Sequence, residues 1–270
     1  MALTGYNDLV TSMLPPNPIN KASFTGQAAG QLHSSFYLAG TPGAAAVPSP
    51  GINGAALTSY AGQLNFPATS GSTTIYLAGF QAAQAGNIGS ILIMDRLWHN
   101  SGVVVTTTTG QAITFPTLPA RDANGATAGA NVGFAMEITT VLGTAAPVTN
   151  CTITYTNSSG TASKTGTLAS IPTAAVAGTF LPFSLAAGDT GVQSVQTITL
   201  GTSLVSGAIS LVAYRQIAQI PIPTANIATQ ADWTQLGLPV MFNTSVPWMV
   251  YLLSGTAGGI VTANMLYAQK

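Results

Sequence analysis

The acidic side chains and histidines are the first candidates for acid–base chemistry in this chain. Asp95 and Glu137 both lie in segments that alternate like strands, and two facing carboxylates are the groups that hydrolyse glycosidic bonds. A chain this poor in charge favours another interpretation, because Asp95 stands directly before Arg96. We therefore predict that Asp95, Arg96 and Glu137 form one buried or interfacial ion-pair group with a structural role.

Metal binding would need histidines or cysteines at ligand spacing. His33 and His99 are far apart in the sequence, and neither has a second histidine or a carboxylate at that spacing. Cys151, the single cysteine, excludes an intrachain disulfide and lies in an alternating segment, so we expect a small buried hydrophobic side chain. The sequence thus predicts no metal site and no cofactor.

Signatures of covalent catalysis and of phosphate binding are missing from the sequence. The serines in 69–72 and 157–160 stand in turn compositions with no helix after them, unlike a nucleophile elbow, and no glycine-rich nucleotide fingerprint is present. Arg121 and Asp122 lie in a loop with a strong turn signal and are expected to brace that turn. We predict that the protein is not an enzyme and has no catalytic residues.

The tryptophans are the candidates for a sugar-binding platform. Trp98, Trp233 and Trp248 all fall in the strand-rich part of the chain. A platform would require two of these rings to be exposed and coplanar. Burial in the core or at an interface is the expected outcome for such large rings.

Composition sets the class of partner. Only 4% of the 270 residues are charged, against roughly 25% in an ordinary soluble domain, whereas 47% are hydrophobic, which argues against disorder. Six Lys and Arg side chains cannot form a stripe that follows phosphates, so no nucleic acid partner is expected. No apolar run approaches the ~18 residues of a membrane span, and the N-terminus lacks a secretory signal. The zero net charge favours association with other protein surfaces.

Two regions with different patterns must position these residues. Residues 1–72 are rich in Pro, Gly and Ala and predict an extended N-terminal arm with loops, opening with a short helix near 5–14. Residues 73–270 predict about ten short strands separated by turn signals, and hence one antiparallel β-sandwich or jelly-roll-like domain. The predicted strands are 73–80, 90–98, 102–109, 133–141, 149–157, 178–185, 192–200, 208–215, 247–253 and 259–268. A hairpin is expected after 157–160, and a helical turn near 231–236.

Several phrases of the sequence resemble a family of virion structural proteins of tailed bacteriophages. They are residues 95–109, 118–125, 177–183, 187–192 and 207–215. The resemblance implies a non-enzymatic particle component, and in particular a capsid decoration or cement protein. Such a protein would bind the major capsid protein and copies of itself as a homotrimer. It would reside in the virion after assembly in the host bacterial cytoplasm.

Two further hypotheses remain open at this stage. The chain could be a tail-tip, fibre or baseplate protein that binds a host-surface glycan through an aromatic platform or a polar pocket. It could also be a hydrolase that uses Asp95 or Glu137. For the cement hypothesis, the first contacts are expected from the arm, especially Tyr6 to Leu14 and Phe36 with Tyr37.

Overall fold

Antiparallel sheets make up most of this computed structural model, which describes residues 4–67 and 73–270. The expected all-β class, a sandwich with jelly-roll-like character, is confirmed. In chain order the elements are α1 (Tyr6–Ser12), β1 (Asn17–Lys21), β2 (Phe24–Thr25), β3 (Leu32–Ser34), β4 (Gly40–Thr41), β5 (Ala55–Ala56), β6 (Ile75–Gln84), β7 (Gly89–His99), β8 (Gln111–Ala112), β9 (Val132–Thr140), β10 (Thr152–Asn157), β11 (Lys164–Thr167), β12 (Thr179–Pro182), β13 (Val192–Thr199), β14 (Ala208–Ile222), β15 (Thr229–Asp232), α2 (Trp233–Leu236), β16 (Val240–Met241), β17 (Pro247–Leu253), β18 (Ala257–Gly258) and β19 (Val261–Gln269).

A closed six-stranded barrel lies at the centre of the molecule. Its strands follow the order β14-β9-β12-β3-β17-β7, and β7 pairs back with β14, so that every strand has two neighbours. Closure leaves the barrel without free edges. Side chains alternate along each strand, so one set fills the barrel and the other set faces outward. Leu92, Met94 and Trp248 belong to the inner set, and Ile91 and Ile93 to the outer one.

Further sheets cover the barrel on two sides. The sheet that contains β6, β19 and β1 packs its apolar face, including Phe80 and Tyr267, against the outer residues of β7 and β17. The sheet β11-β10-β13-β8 packs Ile153 and Val195 against the outer residues of β9 and β14. Burial in β10 alternates residue by residue, as expected for a strand with one covered face. The predicted hairpin after residue 157 is confirmed by the pairing of β10 with β11.

Residues 4–67, which the sequence assigns to an arm, are woven into these sheets. The three-residue strand β3 completes the barrel between β12 and β17, and β1 pairs with β19 from Asn17 to Lys21. Pro18 is accommodated because the other neighbour of β1 reaches only Asn20 and Lys21, which leaves the edge beside the proline open. The accessible surface, 10556 Å², is close to the ~10,900 Å² of a compact protein of this mass. The domain boundary at residue 73 stays a prediction.

Of the local predictions, the two short helical segments are confirmed and one strand is not. The first helix ends at Ser12, ahead of Pro15, and packs Leu9 against the sheet. The helical turn near 231–236 is α2, which Asp232 caps. The strand expected over 102–109 was wrong: the side chain of Gln111 bonds both the N–H and the C=O of Val104, so these groups do not join a ladder.

Candidate functional site

The barrel interior holds a sealed ion pair. Nη2 of Arg96 lies 2.6 Å from Oε2 of Glu137, and both side chains are 0% exposed. The hydroxyl of Tyr37 donates to the same carboxylate oxygen at 2.7 Å, and Nε of Arg96 donates to Nδ1 of His99 at 3.2 Å. The guanidinium carbon also lies 4.4 Å from the ring centre of Phe36, a cation–π contact. Solvent and substrate therefore have no access to Glu137.

The electrostatics of this pair keep both partners charged. Burial by itself would raise the pKa of Glu137, but the charge and hydrogen bonds of Arg96 outweigh it and hold that pKa below its ordinary value. Burial and the neighbouring carboxylate raise the pKa of Tyr37. A carboxylate held ionised in this way is a poor general acid at neutral pH. The arrangement suits an internal structural group.

Asp95 belongs to a second, separate group on the outside of the barrel. Its carboxylate accepts hydrogen bonds from Nε and Nη2 of Arg121 at 3.1 and 3.2 Å, from Oγ of Ser245 at 2.9 Å and from the N–H of Val246 at 2.8 Å. The prediction of one ion-pair group was thus right about burial and pairing but wrong about its unity. Asp95 and Arg96 are neighbours on a strand and point to opposite faces.

Asp122 braces the loop after β8, as predicted, whereas Arg121 links this loop to other parts of the chain. Arg121 donates to Asp95, to the carbonyls of Leu57 and Arg96 and to the hydroxyl of Thr244, so all five of its N–H groups have partners. The carboxylate of Asp122 accepts four backbone N–H groups of its own loop at 2.8 to 3.1 Å. Sequence reasoning missed that Arg121 is the partner of Asp95.

The histidines and the cysteine are buried and lie apart. The ring of His33 stacks on Phe24 with centres 3.8 Å apart, and burial lowers its pKa to about 4. Burial, then the charge of Arg96, lowers the pKa of His99 to about 3. Burial raises the pKa of Cys151 to about 12. Within residues 4–67 and 73–270, no group of three or more His, Cys, Asp or Glu side chains is placed to hold a metal ion.

The aromatic candidates are mostly internal. Trp98 and Trp248 are buried, whereas Trp233 is 38% exposed and lies 6.2 Å from the ring of Tyr6 at a tilt of 47°. The tryptophans therefore form no coplanar platform. Phe36, expected as an arm contact, is fully buried beside Arg96. Tyr37 is half-buried, and its hydroxyl donates a hydrogen bond to Glu137. Among the expected contacts, Tyr6 remains well exposed.

Charge distribution is the most unusual property of the surface. Of six basic and six acidic side chains, these seven are buried: Lys21, Asp95, Arg96, Arg121, Asp122, Glu137 and Arg215. The five at the surface are Asp8, Lys164, Asp189, Asp232 and Lys270. Two of these neutralise each other, since Nζ of Lys270 lies 2.9 Å from Asp8. The outside of the protein is therefore almost free of ions.

Apolar side chains are exposed on this neutral surface. Among the described residues, the large ones, each at least 38% exposed, are Tyr6, Val10, Met13, Val47, Ile88, Val104, Val141, Val205, Ile227, Trp233 and Ile260. Val205 also has a φ of 68°, which is rare for a β-branched residue. In the part of the chain that the structure describes, neither helix has the length and apolar content to cross a membrane.

Comparison with known proteins yields little. No family model matches the chain, and no curated protein matches it. The VP2 subviral particle of infectious bursal disease virus is 8% identical, with a TM-score of 0.17 over 95% of this chain and 81% of that one. A structure of the Gx strain of the same virus is 11% identical, with a TM-score of 0.13 over 99% of this chain and 62% of that one. TM-scores this low carry no argument about fold or role.

Proposed function

We propose that this protein is a non-enzymatic structural component of a tailed-bacteriophage virion, a decoration or cement protein of the head. In this role it binds the major capsid protein and copies of itself, arranged as a homotrimer. The observation that carries the proposal is the surface, where five ions remain and two of them pair with each other. The assignment to a phage virion rests on the resemblance of several sequence phrases to such virion proteins.

A neutral surface lowers the cost of forming many interfaces. Each charge that is buried without a partner must lose its hydration, whereas hydroxyl, amide and apolar groups transfer more easily. Symmetry repeats one interface many times, and weak contacts then add through multivalency. A free monomer gains little from such a surface, because low net charge favours association.

Internal placement of the charges supports the same role. Asp95 and Glu137, the residues that a hydrolase would use, are both 0% exposed and fully engaged with arginines. Breaking a buried ion pair by removing one partner typically costs 3–5 kcal/mol. That cost arises because the remaining charge is left buried without a partner. Both carboxylates are thus committed to internal contacts and closed to a substrate. The alternative role is a glycan-binding tail protein that uses either an aromatic platform or a polar pocket. The platform is missing, since two of three tryptophans are buried.

Salt dependence of shell binding tests the proposal. Particles stripped of the protein are mixed with the purified chain in about 50 mM and about 1 M NaCl, and binding is measured by co-sedimentation. We expect affinities that agree within about threefold, because few contacts are ionic. A matched control is the Val10→Lys variant, whose exposed helix position adds a charge. Loss of more than about tenfold in affinity by the wild-type chain at high salt would contradict the proposal.

A further inference from the structure

Three arginines are buried, and they differ in how completely their donors are used. Arg121 places all five N–H groups on protein acceptors, and Arg96 holds Glu137 and His99. Arg215 is only 8% exposed, yet it makes one hydrogen bond, from Nη2 to the carbonyl of Val240 at 3.1 Å. Its Nε is buried without a partner among the described residues. Unmet donors on a buried guanidinium are costly.

The nearest counter-ion does not satisfy Arg215. Oδ2 of Asp95 lies 3.7 Å from Nη2, too far for a hydrogen bond, and that carboxylate already accepts from Arg121, Ser245 and Val246. Burial lowers the pKa of Arg215, and the repulsion from Arg121 adds to this effect, whereas the charges of Asp95 and Asp122 oppose it. The guanidinium carbon also lies 5.2 Å from the ring centre of Phe242, a cation–π contact. The guanidinium is therefore partly compensated by charge, but it still has N–H groups without a protein acceptor.

Arg215 is one of the residues that line a surface cavity of about 450 Å³. Phe242, Pro239 and Val240 give it an apolar wall, and the amides of Asn124, Asn131 and Gln216 complete the lining. These three amide side chains are exposed and make no hydrogen bond within the described protein. A few polar groups that converge on an apolar wall are the usual composition of a ligand site.

Backbone irregularities flank two of the residues that line this cavity. The pairing register of β14 with β7 shifts between Ala213 and Tyr214 and again between Gln216 and Ala218. Arg215 and Gln216 therefore lie between two irregularities of the β14–β7 pairing. Bulges of this kind are common beside active and binding sites, where they redirect a side chain. Asn131, on the opposite rim, has a φ of 54°, which few residues other than glycine adopt.

We propose that this cavity binds an acidic sugar unit of the uronic acid type. The carboxylate would pair with the terminal N–H groups of Arg215 that the carbonyl of Val240 leaves free, since the buried Nε is closed to a ligand. The ring hydroxyls, which both donate and accept, would bond the amides of Asn124, Asn131 and Gln216, which also do both. The C–H face of the sugar would lie on the wall formed by Pro239, Val240 and Phe242.

A sugar fits this site better than an acidic peptide side chain. A peptide carboxylate would engage Arg215 but would bring no hydroxyls for three unpartnered amides. A second copy of this chain is also a poor source of the carboxylate for Arg215, because its side-chain carboxylates at the surface are only Asp8, Asp189 and Asp232. The site is independent of the proposed shell contacts, so either proposal can fail alone.

Titration calorimetry on the full chain tests the proposal with three probes: methyl glucuronide, the neutral methyl glucoside and N-acetylglutamate. We expect methyl glucuronide to bind at least about tenfold more tightly than either other probe, a difference of about 1.4 kcal/mol. Equal binding of the glucoside would exclude the carboxylate pairing with Arg215. Tighter binding of N-acetylglutamate would overturn the sugar assignment in favour of a peptide, and no binding of any probe would overturn the site.

Variants locate the binding at this cavity. Gln216→Ala and Asn131→Gly remove one amide each at exposed positions, the second without disturbing the positive φ. Each should weaken methyl glucuronide binding at least about threefold, and Arg215→Lys at least about tenfold. The matched control is Gln219→Ala, an exposed glutamine of the same strand outside the cavity, which should bind as the wild type does. Unchanged binding by both amide variants would contradict the assignment, whether or not Arg215→Lys folds.

Discussion

Ionisable residues in the interior of this protein have structural roles. Glu137 and Asp95 are of the residue type that a glycosidase uses, yet each is fully buried with its own arginine. The sequence indicated burial and pairing because Asp95 precedes Arg96 in an alternating segment. It could not indicate the partner Arg121, which comes from a distant loop. Nor could it indicate the incomplete hydrogen bonding of Arg215, which depends on tertiary contacts.

The buried histidines predict a loss of stability in mild acid. Their pKa values of about 4 for His33 and about 3 for His99 lie below the ~6.5 of an unfolded chain. Between these values the unfolded chain binds more protons, so the free energy of unfolding is greatest above pH 6.5 and falls as the pH falls. From pH 7 to pH 5 we expect a loss of about 2 kcal/mol per histidine, measured by urea unfolding.

Substitution of the histidines separates this effect from that of the carboxylates, whose lowered pKa values act at lower pH. His33→Gln should remove about half of the change between pH 7 and pH 5. In His99→Gln the amide oxygen can still accept the hydrogen bond of Arg96, so this variant should do the same. A wild-type stability that stays constant from pH 7 to pH 5 would show that neither histidine is held neutral by burial.

At the scale of elements, turns and bulges shape what the strands present. Two register shifts in β14 flank Arg215 and Gln216, which line a cavity. The loop before the same strand holds the exposed apolar side chain of Val205 at a positive φ. The pattern of short apolar or alternating segments between turn residues predicted most long strands correctly, among them β17 from Pro247 to Leu253. It failed over 102–109, where β-branched residues favour a strand. There the side chain of Gln111 bonds the backbone N–H and C=O of Val104, which a strand would use for its ladder.

Strain at Val205 predicts that this loop can be stabilised. A left-handed conformation costs an L-residue about 1–2 kcal/mol, and asparagine tolerates it better than valine does. Val205→Asn should therefore raise the free energy of unfolding by about 1 kcal/mol, seen as a higher Tm. Val141→Asn is the control, since this side chain is similarly exposed but has no positive φ. An unchanged or lower Tm in Val205→Asn, with Val141→Asn equal to it, would argue against strain.

At the scale of the whole molecule, the fold class and the neutral surface could be predicted from the sequence, whereas the topology could not. The all-β class follows from short alternating segments and turn residues, and the neutral surface follows from the 4% charge. Barrel closure could not be predicted, because it depends on the pairing of β7 with β14 and on β3, a strand of three residues in a region of loops. Such distant pairings leave no local pattern. The same limit hid the way residues 4–67 join the sheets.

Copy number in the virion tests the central claim most directly. Purified particles are separated by gel electrophoresis, and the band of this protein is measured against the major capsid band. A cement protein that covers the shell as symmetric trimers should be present in a fixed ratio to the capsid protein, at hundreds of copies per particle. A handful of copies per particle, or a protein lost from purified virions, would contradict a role as head cement.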